Sequence, residues 1–103
     1  MAIFAVRMFD AEDGELARDT HRAAHLAFVE TIRDRILVAG PLASQQADVY
    51  DGSLAVLQVA DRRELEAIIN DDPYYRGGAW ERYEVQVFEP LMGAWVDGGT
   101  SGM

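Results

Sequence analysis

Two side chains far apart in the sequence, His25 and Asp72, have the chemistry of a proton-transfer pair. A carboxylate that accepts one imidazole N–H fixes the tautomer of the ring and leaves its second nitrogen as a base. Arg22 lies one helical turn before His25 and could hold an anionic substrate group or stabilise a developing enolate. The same residues could instead form a buried structural hydrogen-bond network. The elements that carry them decide whether they can meet.

Residues 20–36 predict an amphipathic helix whose apolar stripe ends in polar groups. At 100° per residue the stripe continues toward the N-terminus through His25, Arg22 and His21. A core-facing stripe that changes from hydrocarbon to imidazole and guanidinium borders either a buried polar network or a ligand pocket. We expect the helix to begin between residues 15 and 19. The apolar members of the stripe are Phe28, Val29, Ile32 and Ile36.

A second helix is predicted to begin at Asp61 and to supply the partner of the first. Glu64 follows Asp61 by three residues, as in a capping box. Pro73 ends the helix, because the residue before a proline is pushed out of the α region. The buried stripe of this helix leads to Asp72 at its C-terminal end. The apolar members of that stripe are Leu65, Ile68 and Ile69.

Four other segments have the composition of β-strands. Gly40-Pro41 is expected to end the pairing of the second strand, since proline cannot donate to a ladder. Residues 44–52 form a polar connection that closes on the turn pair Asp51-Gly52. Residues 74–80 are expected to be a loop or short turn with Gly77-Gly78 at its bend. The four predicted strands are residues 2–9, 36–42, 53–60 and 83–89.

The order β-α-β-β-α-β predicts a ferredoxin-like α+β fold, with a four-stranded antiparallel sheet and both helices on one face. The start of one antiparallel helix then lies near the end of the other, so His25 can reach Asp72. Strands that are apolar on both sides predict a homodimer that covers the other sheet face, and residues 91–95 are a further candidate for that contact. We expect one domain at residues 1–96 and a flexible C-terminal tail at 97–103.

The composition excludes several classes of function. The absence of cysteine removes disulfides, thiolate nucleophiles and cysteine zinc sites, and the absence of lysine removes Schiff-base chemistry. A net charge of −9 repels a phosphate backbone, so no nucleic acid partner is expected. No apolar run approaches the ~20 residues that span a bilayer, so we expect no membrane partner and a cytoplasmic location.

Three further polar side chains have weaker signals. Tyr74 follows the Asp-Pro bend and could cap a pocket, donate its hydroxyl or pack against a neighbouring strand. Ser53 is eligible for substrate binding, although a turn residue explains it as well. His21 is expected on the solvated surface. His21 and His25 share a helix face, but the chain has no H-E-x-x-H motif, so no metal site and no other cofactor are expected.

Five short motifs, taken in their order and spacing, resemble the YciI-like family. The resemblance covers about residues 3 to 95. Relatives commonly show Arg-Pro before the histidine, whereas this chain has Arg22-Ala23 at the corresponding place. The motifs are R-x-x-H-L at residues 22–26, A-G-P-L at 39–42, G-S at 52–53, D-D-P-Y at 71–74 and V-x-V-F at 85–88.

The resemblance implies a dimeric α+β barrel related to muconolactone-isomerase-type proteins, with a His–Asp active site at His25 and Asp72. The best-understood relatives are dehydrochlorinases that act on chlorinated hydroxyquinols without a cofactor. The expected function is a lyase or isomerase acting on a small hydroxylated cyclic or aromatic compound, with Arg22, Tyr74 and Ser53 binding the substrate. The alternative is a non-catalytic dimer that binds a small metabolite, or serves an enzyme, through the same pocket.

Overall fold

The structure is a computed structural model that describes residues 1–46 and 48–96. The tail predicted at residues 97–103 lies outside the described residues. The helices are α1 (Gly14–Thr31), α2 (Arg62–Asp71) and α3 (Pro73–Arg76), and a single turn of 3-10 helix spans Arg33–Arg35. The strands are β1 (Ala2–Asp10), β2 (Ile36–Ala43), β3 (Tyr50–Val59) and β4 (Trp80–Val87).

The four strands form one antiparallel sheet in the order β2-β3-β1-β4, which confirms the predicted ferredoxin-like α+β fold. Alternate residues of β1 face the helices and are buried, as the period of two in a strand requires. The core lies between this face and α2, whose three predicted apolar residues are all buried. The buried side chains that meet there include Phe4, Val6, Leu57, Leu65, Ile68 and Ile69.

The first helix differs from its prediction at both ends. α1 begins at Gly14, where a Cβ would meet the Ala79 carbonyl oxygen, so only glycine lets the chain turn so close to the start of β4. The helix ends at Thr31, and Ile36 opens β2 in a pair with Leu57 instead of closing the helix. Ile36, the last residue of the apolar stripe predicted for the first helix, therefore belongs to the sheet.

The region around β2 and β3 also differs. Pairing with β3 was expected to end at Gly40-Pro41, but it continues through both residues. β2 is an edge strand, and a proline without an N–H is tolerated at the edge of a sheet. Asp51 and Gly52 lie inside β3 and not in a turn. Gly52 is buried, and a Cβ there would meet the Met8 carbonyl oxygen, so this glycine serves the close approach of β1 and β3.

The segment after the second helix is a short helix and not a loop. Asp61 caps α2 as predicted, since its side chain accepts from the Glu64 N–H, 2.9 Å away. Pro73 ends α2, but it also takes the first position of α3, where its fixed φ favours a helix. β4 then begins at Trp80, three residues before the predicted strand.

The sheet face opposite the helices is apolar in part. Leu37 is 50% exposed, and Trp95 in the segment after β4 is 86% exposed. A groove of about 960 Å³ lies between that segment and the ends of β2 and β3. The homodimer remains a prediction. No helix in the described part of the chain is long and apolar enough to cross a membrane.

Candidate functional site

His25 and Asp72 meet, as the two helical stripes predicted. His25 Nδ1 lies 2.7 Å from Asp72 Oδ1, and the two side chains are 17% and 7% exposed. Because a carboxylate only accepts hydrogen bonds, Nδ1 is the donor in this contact, and in a neutral ring the lone pair then lies on Nε2. Nε2 makes no hydrogen bond with residues 1–46 or 48–96. The two ring nitrogens of His25 therefore have different surroundings.

The Asp72 carboxylate is fixed by the junction between two helices. Asp72 is extended, with φ −65° and ψ 129°, so it ends α2 and serves as the N-cap of α3. Its Oδ1 accepts from the Tyr74 N–H at 2.9 Å as well as from His25. The Asp72 side chain is therefore held in one orientation by its hydrogen bond to the backbone of α3, and this fixes the acceptor that faces His25.

Aromatic rings hold the plane of the His25 imidazole. Tyr74 stacks on it with ring centroids 3.8 Å apart and planes 7° from parallel. Trp80 meets both rings edge-on, at 5.9 Å from His25 and 5.5 Å from Tyr74. Tyr74 is buried and is one of the residues that line the cavity. With Asp72 on one nitrogen and Tyr74 on one face, the imidazole has a single orientation.

Arg18 also lines this site, although the sequence analysis did not predict it. Its Nη2 lies 2.9 Å from Asp10 Oδ1, 3.1 Å from the Gly52 carbonyl oxygen and 3.1 Å from Ser53 Oγ. The side chain is 12% exposed. Arg18 precedes His25 by seven residues, which is two turns along the same stripe. One further turn of the predicted stripe would have reached it.

Arg22 and His21 take more peripheral positions. The Arg22 side chain lies at the cavity rim, 60% exposed, with Nη2 3.4 Å from Asp19 Oδ1. The neighbouring Tyr74 hydroxyl, and then Asp19, raise the pKa of Arg22 above its ordinary value. His21 was predicted to be solvated, but it is half-buried. Its ring packs against Gly77, in the space that a Cβ on that residue would occupy.

A cavity of about 400 Å³ lies between α1 and the sheet, and its polar lining includes Arg18, Arg22, His25, Ser53 and Asp72. This volume falls in the usual range for small-molecule sites, roughly 300–1,000 Å³. An imidazole and two guanidinium groups thus share the cavity with hydrocarbon walls. In the described part of the chain, no three His, Cys, Asp or Glu side chains converge as metal ligands would. The apolar walls include Leu26, Val29, Ile32, Ile36, Leu57 and Ile69.

Solved structures that are similar to this chain include a dehydrochlorinase and a monooxygenase. The first is 5-chloro-2-hydroxyhydroquinone dehydrochlorinase (TftG) from Burkholderia phenoliruptrix AC1100, in complex with 2,5-dihydroxybenzoquinone. It is 24% identical with a TM-score of 0.76, over 84% of this chain and 93% of that chain, and it supports the fold. The second, an antibiotic biosynthesis monooxygenase, is 13% identical over 86% of this chain and 97% of that one. Its TM-score is 0.48.

Sequence comparisons place the chain in a family. No curated protein sequence matches it. A family model described as the YCII-related domain matches residues 2–89, which span all four strands and all three helices of the described part of the chain. The chain therefore belongs to the family of YCII-related domains, as its sequence motifs predicted.

Proposed function

We propose that this protein is a cofactor-independent acid/base enzyme, a lyase or isomerase acting on a small hydroxylated cyclic or aromatic compound. The observation that carries the proposal is the 2.7 Å contact between His25 Nδ1 and Asp72 Oδ1 at the wall of the cavity. His25 moves the proton through Nε2. Asp72 holds the tautomer and stabilises the imidazolium that forms. Arg22, Tyr74 and Ser53 bind the substrate from the cavity walls.

The relative TftG suggests the form of the reaction, since it is a dehydrochlorinase crystallised with a dihydroxyquinone. In a chlorinated hydroxyquinol, a base can take a hydroxyl proton and return it to the neighbouring carbon that carries chlorine, which gives a ketone. Loss of a second hydroxyl proton then expels chloride with the electron pair of the C–Cl bond. The net change is loss of HCl and formation of a quinone. One base that takes and returns protons is sufficient for each step, and no external oxidant is needed.

The pocket walls support a flat substrate. The imidazole, Tyr74 and Trp80 form one aromatic corner, and the remaining wall is mainly aliphatic. An aromatic or quinonoid ring buries well against such surfaces, while its oxygen substituents need the polar groups at one end of the cavity.

The test compares chloride release from 5-chloro-2-hydroxyhydroquinone by wild type and by His25→Asn. Asparagine can still donate from Nδ2 to Asp72, so the buried carboxylate keeps a partner while the base is lost. We expect turnover to fall about 10²–10⁴-fold with the thermal midpoint nearly unchanged. A folded His25→Asn variant with wild-type turnover would remove His25 from the mechanism. Phenolic, lactone and keto-acid compounds, screened for stabilisation of the wild type, extend the test to other substrates.

A second candidate function is a dimeric binding or accessory protein that uses the same pocket. Asp72 also caps α3 by accepting from the Tyr74 N–H. This structural role explains the presence of the carboxylate without catalysis, and it therefore favours the second candidate. A ligand that stabilises the protein and is recovered unchanged after prolonged incubation supports this alternative.

A further inference from the structure

The cavity beneath α1 opens to solvent through an apolar mouth between this helix and the edge strand β2. Ala39 and Pro41 pair with Ala55 and Ser53 of β3, so their side chains point to the sheet face that carries the helices. Both are nevertheless exposed, because in the described part of the chain no helix packs closely on this edge of the sheet. The residues that line the mouth are Leu26, Val29, Ala39 and Pro41.

The helix side of the mouth is as apolar as the strand side. Leu26 lines the cavity although it is 56% exposed. Val29, about one turn further along α1, lines it too and is half-buried. Both walls of the mouth are therefore hydrocarbon in contact with water. Covering them with an apolar group would be favourable, since it removes this surface from water.

The cavity is larger than a single ring needs. Its volume is about 400 Å³. A protein cavity of roughly 150 Å³ is already large enough to hold benzene. His25 and Leu26 are neighbours in the sequence and point about 100° apart around the helix axis, one toward Asp72 and the other toward the mouth. A ring held at His25 therefore leaves room beside Leu26.

We propose that the mouth binds an apolar substituent of the substrate, so that the hydroxylated ring that reaches His25 carries a short hydrocarbon chain. The proposal rests on the proposed function, because it assigns the substrate class of the same cavity. A ligand suits the mouth better than a second copy of the chain does. The mouth is a concave extension of the cavity on the helix side of the sheet, whereas the exposed Leu37 and Trp95 border the groove on the opposite face.

The experiment measures, by calorimetry, the binding of 5-alkylresorcinols that carry a methyl, propyl, pentyl or heptyl chain. These probes share one ring and its two hydroxyl groups, and they differ only in the length of the hydrocarbon chain. Burial of each methylene should strengthen binding about two- to fourfold, so affinity should rise about 15- to 250-fold from methyl to pentyl. The gain should level off at heptyl, where the chain extends past the mouth into water.

Variants on the two walls test whether the mouth causes this gain. Leu26→Ser should lower the ratio of pentyl to methyl affinity about three- to tenfold, and Ala39→Asp on the opposite wall should lower it as well. Leu16→Ser is the matched control, since Leu16 is 68% exposed on the same helix and is not among the residues that line the cavity. Its ratio should equal that of wild type. Leu26 and Ala39 are exposed, so both test variants should fold.

Three results would overturn the proposal: an affinity that does not change with chain length, no binding of any resorcinol by wild type, or equal losses of the ratio in Leu16→Ser and Leu26→Ser. Binding is measured without turnover. A failed chloride-release assay therefore speaks against the proposed function and leaves the chain-length comparison standing. A flat chain-length series beside normal chloride release overturns this inference alone.

Discussion

Replacing Asp72 by alanine should destabilise the protein much more than an ordinary loss of a helix cap. Asp72 performs two tasks with one oxygen, because Oδ1 accepts from His25 Nδ1 and from the Tyr74 N–H. Alanine removes both acceptors at once. It leaves the His25 donor in a site where water has little access.

The magnitude follows from these two losses. A lost N-cap costs about 1 kcal/mol, and an unpaired buried donor costs about 1–3 kcal/mol. The side chain of His25 is 17% exposed, so water can partly replace the carboxylate and the lower half of that range applies. The free energy of unfolding should fall by about 2–3 kcal/mol, and the thermal midpoint by about 10–15 °C.

Asp61 provides a matched control within the chain. It caps α2 through an exposed hydrogen bond of 2.9 Å to the Glu64 N–H, and it has no histidine partner. Asp61→Ala should cost about 1 kcal/mol, or about 5 °C. Urea and thermal unfolding of both variants, together with His25→Ala and the double variant of His25 and Asp72, complete the comparison. The double variant should cost about 1–2 kcal/mol less than the sum of its single changes.

An Asp72→Ala variant that is no less stable than Asp61→Ala would contradict this prediction. In that case the contact between His25 and Asp72 adds nothing to the stability of the fold. Additive effects in the double variant would lead to the same conclusion.

Three further predictions concern other parts of the molecule. Gly77→Ala should cost about 1–3 kcal/mol in thermal unfolding because its Cβ meets the His21 ring, whereas Gly40→Ala, with open space around it, should cost under about 1 kcal/mol. Burial, and then Glu66, raise the pKa of Tyr83 above 10.0, so its contribution to stability is present below about pH 10 and is lost as the pH rises through the folded value. Tyr83→Phe should make the alkaline decline of stability shallower, and an unchanged decline contradicts this. Solution mass should be twice the chain mass of 11.4 kDa, and a strict monomer at micromolar concentration contradicts the dimer prediction.

The sequence was informative where one physical rule dominates. The capping arrangement at Asp61 appeared as predicted because an aspartate followed three residues later by a glutamate satisfies two free N–H groups at once. The meeting of His25 with Asp72 followed from two stripes on antiparallel helices, since helical periodicity fixes which side chains share a face. Both inferences needed only local geometry and the order of the elements.

Features that depend on tertiary contacts were not predictable in this way. Gly14 starts α1 because of a carbonyl oxygen from the segment before β4, and no signal near Gly14 reveals that neighbour. Since the helix was expected to start later, Arg18 fell at its uncertain end and was not considered. The short helix after Asp72 was hidden because Pro73 signals the end of one helix and equally the start of another.

The cavity beneath α1 has a consequence for how that helix moves. Within α1 the only buried residue is Gly14, whereas α2 buries three large aliphatic side chains. The first helix is held to the rest of the molecule by the hydrogen bonds of Arg18 and His25 and by a few partly buried side chains such as Ala17 and Phe28, and the cavity lies between part of the helix and the sheet. Amide hydrogens of α1 should exchange with solvent faster than those of α2. A bound ring compound would complete the missing packing, so ligand binding should slow exchange in α1 while leaving α2 almost unchanged.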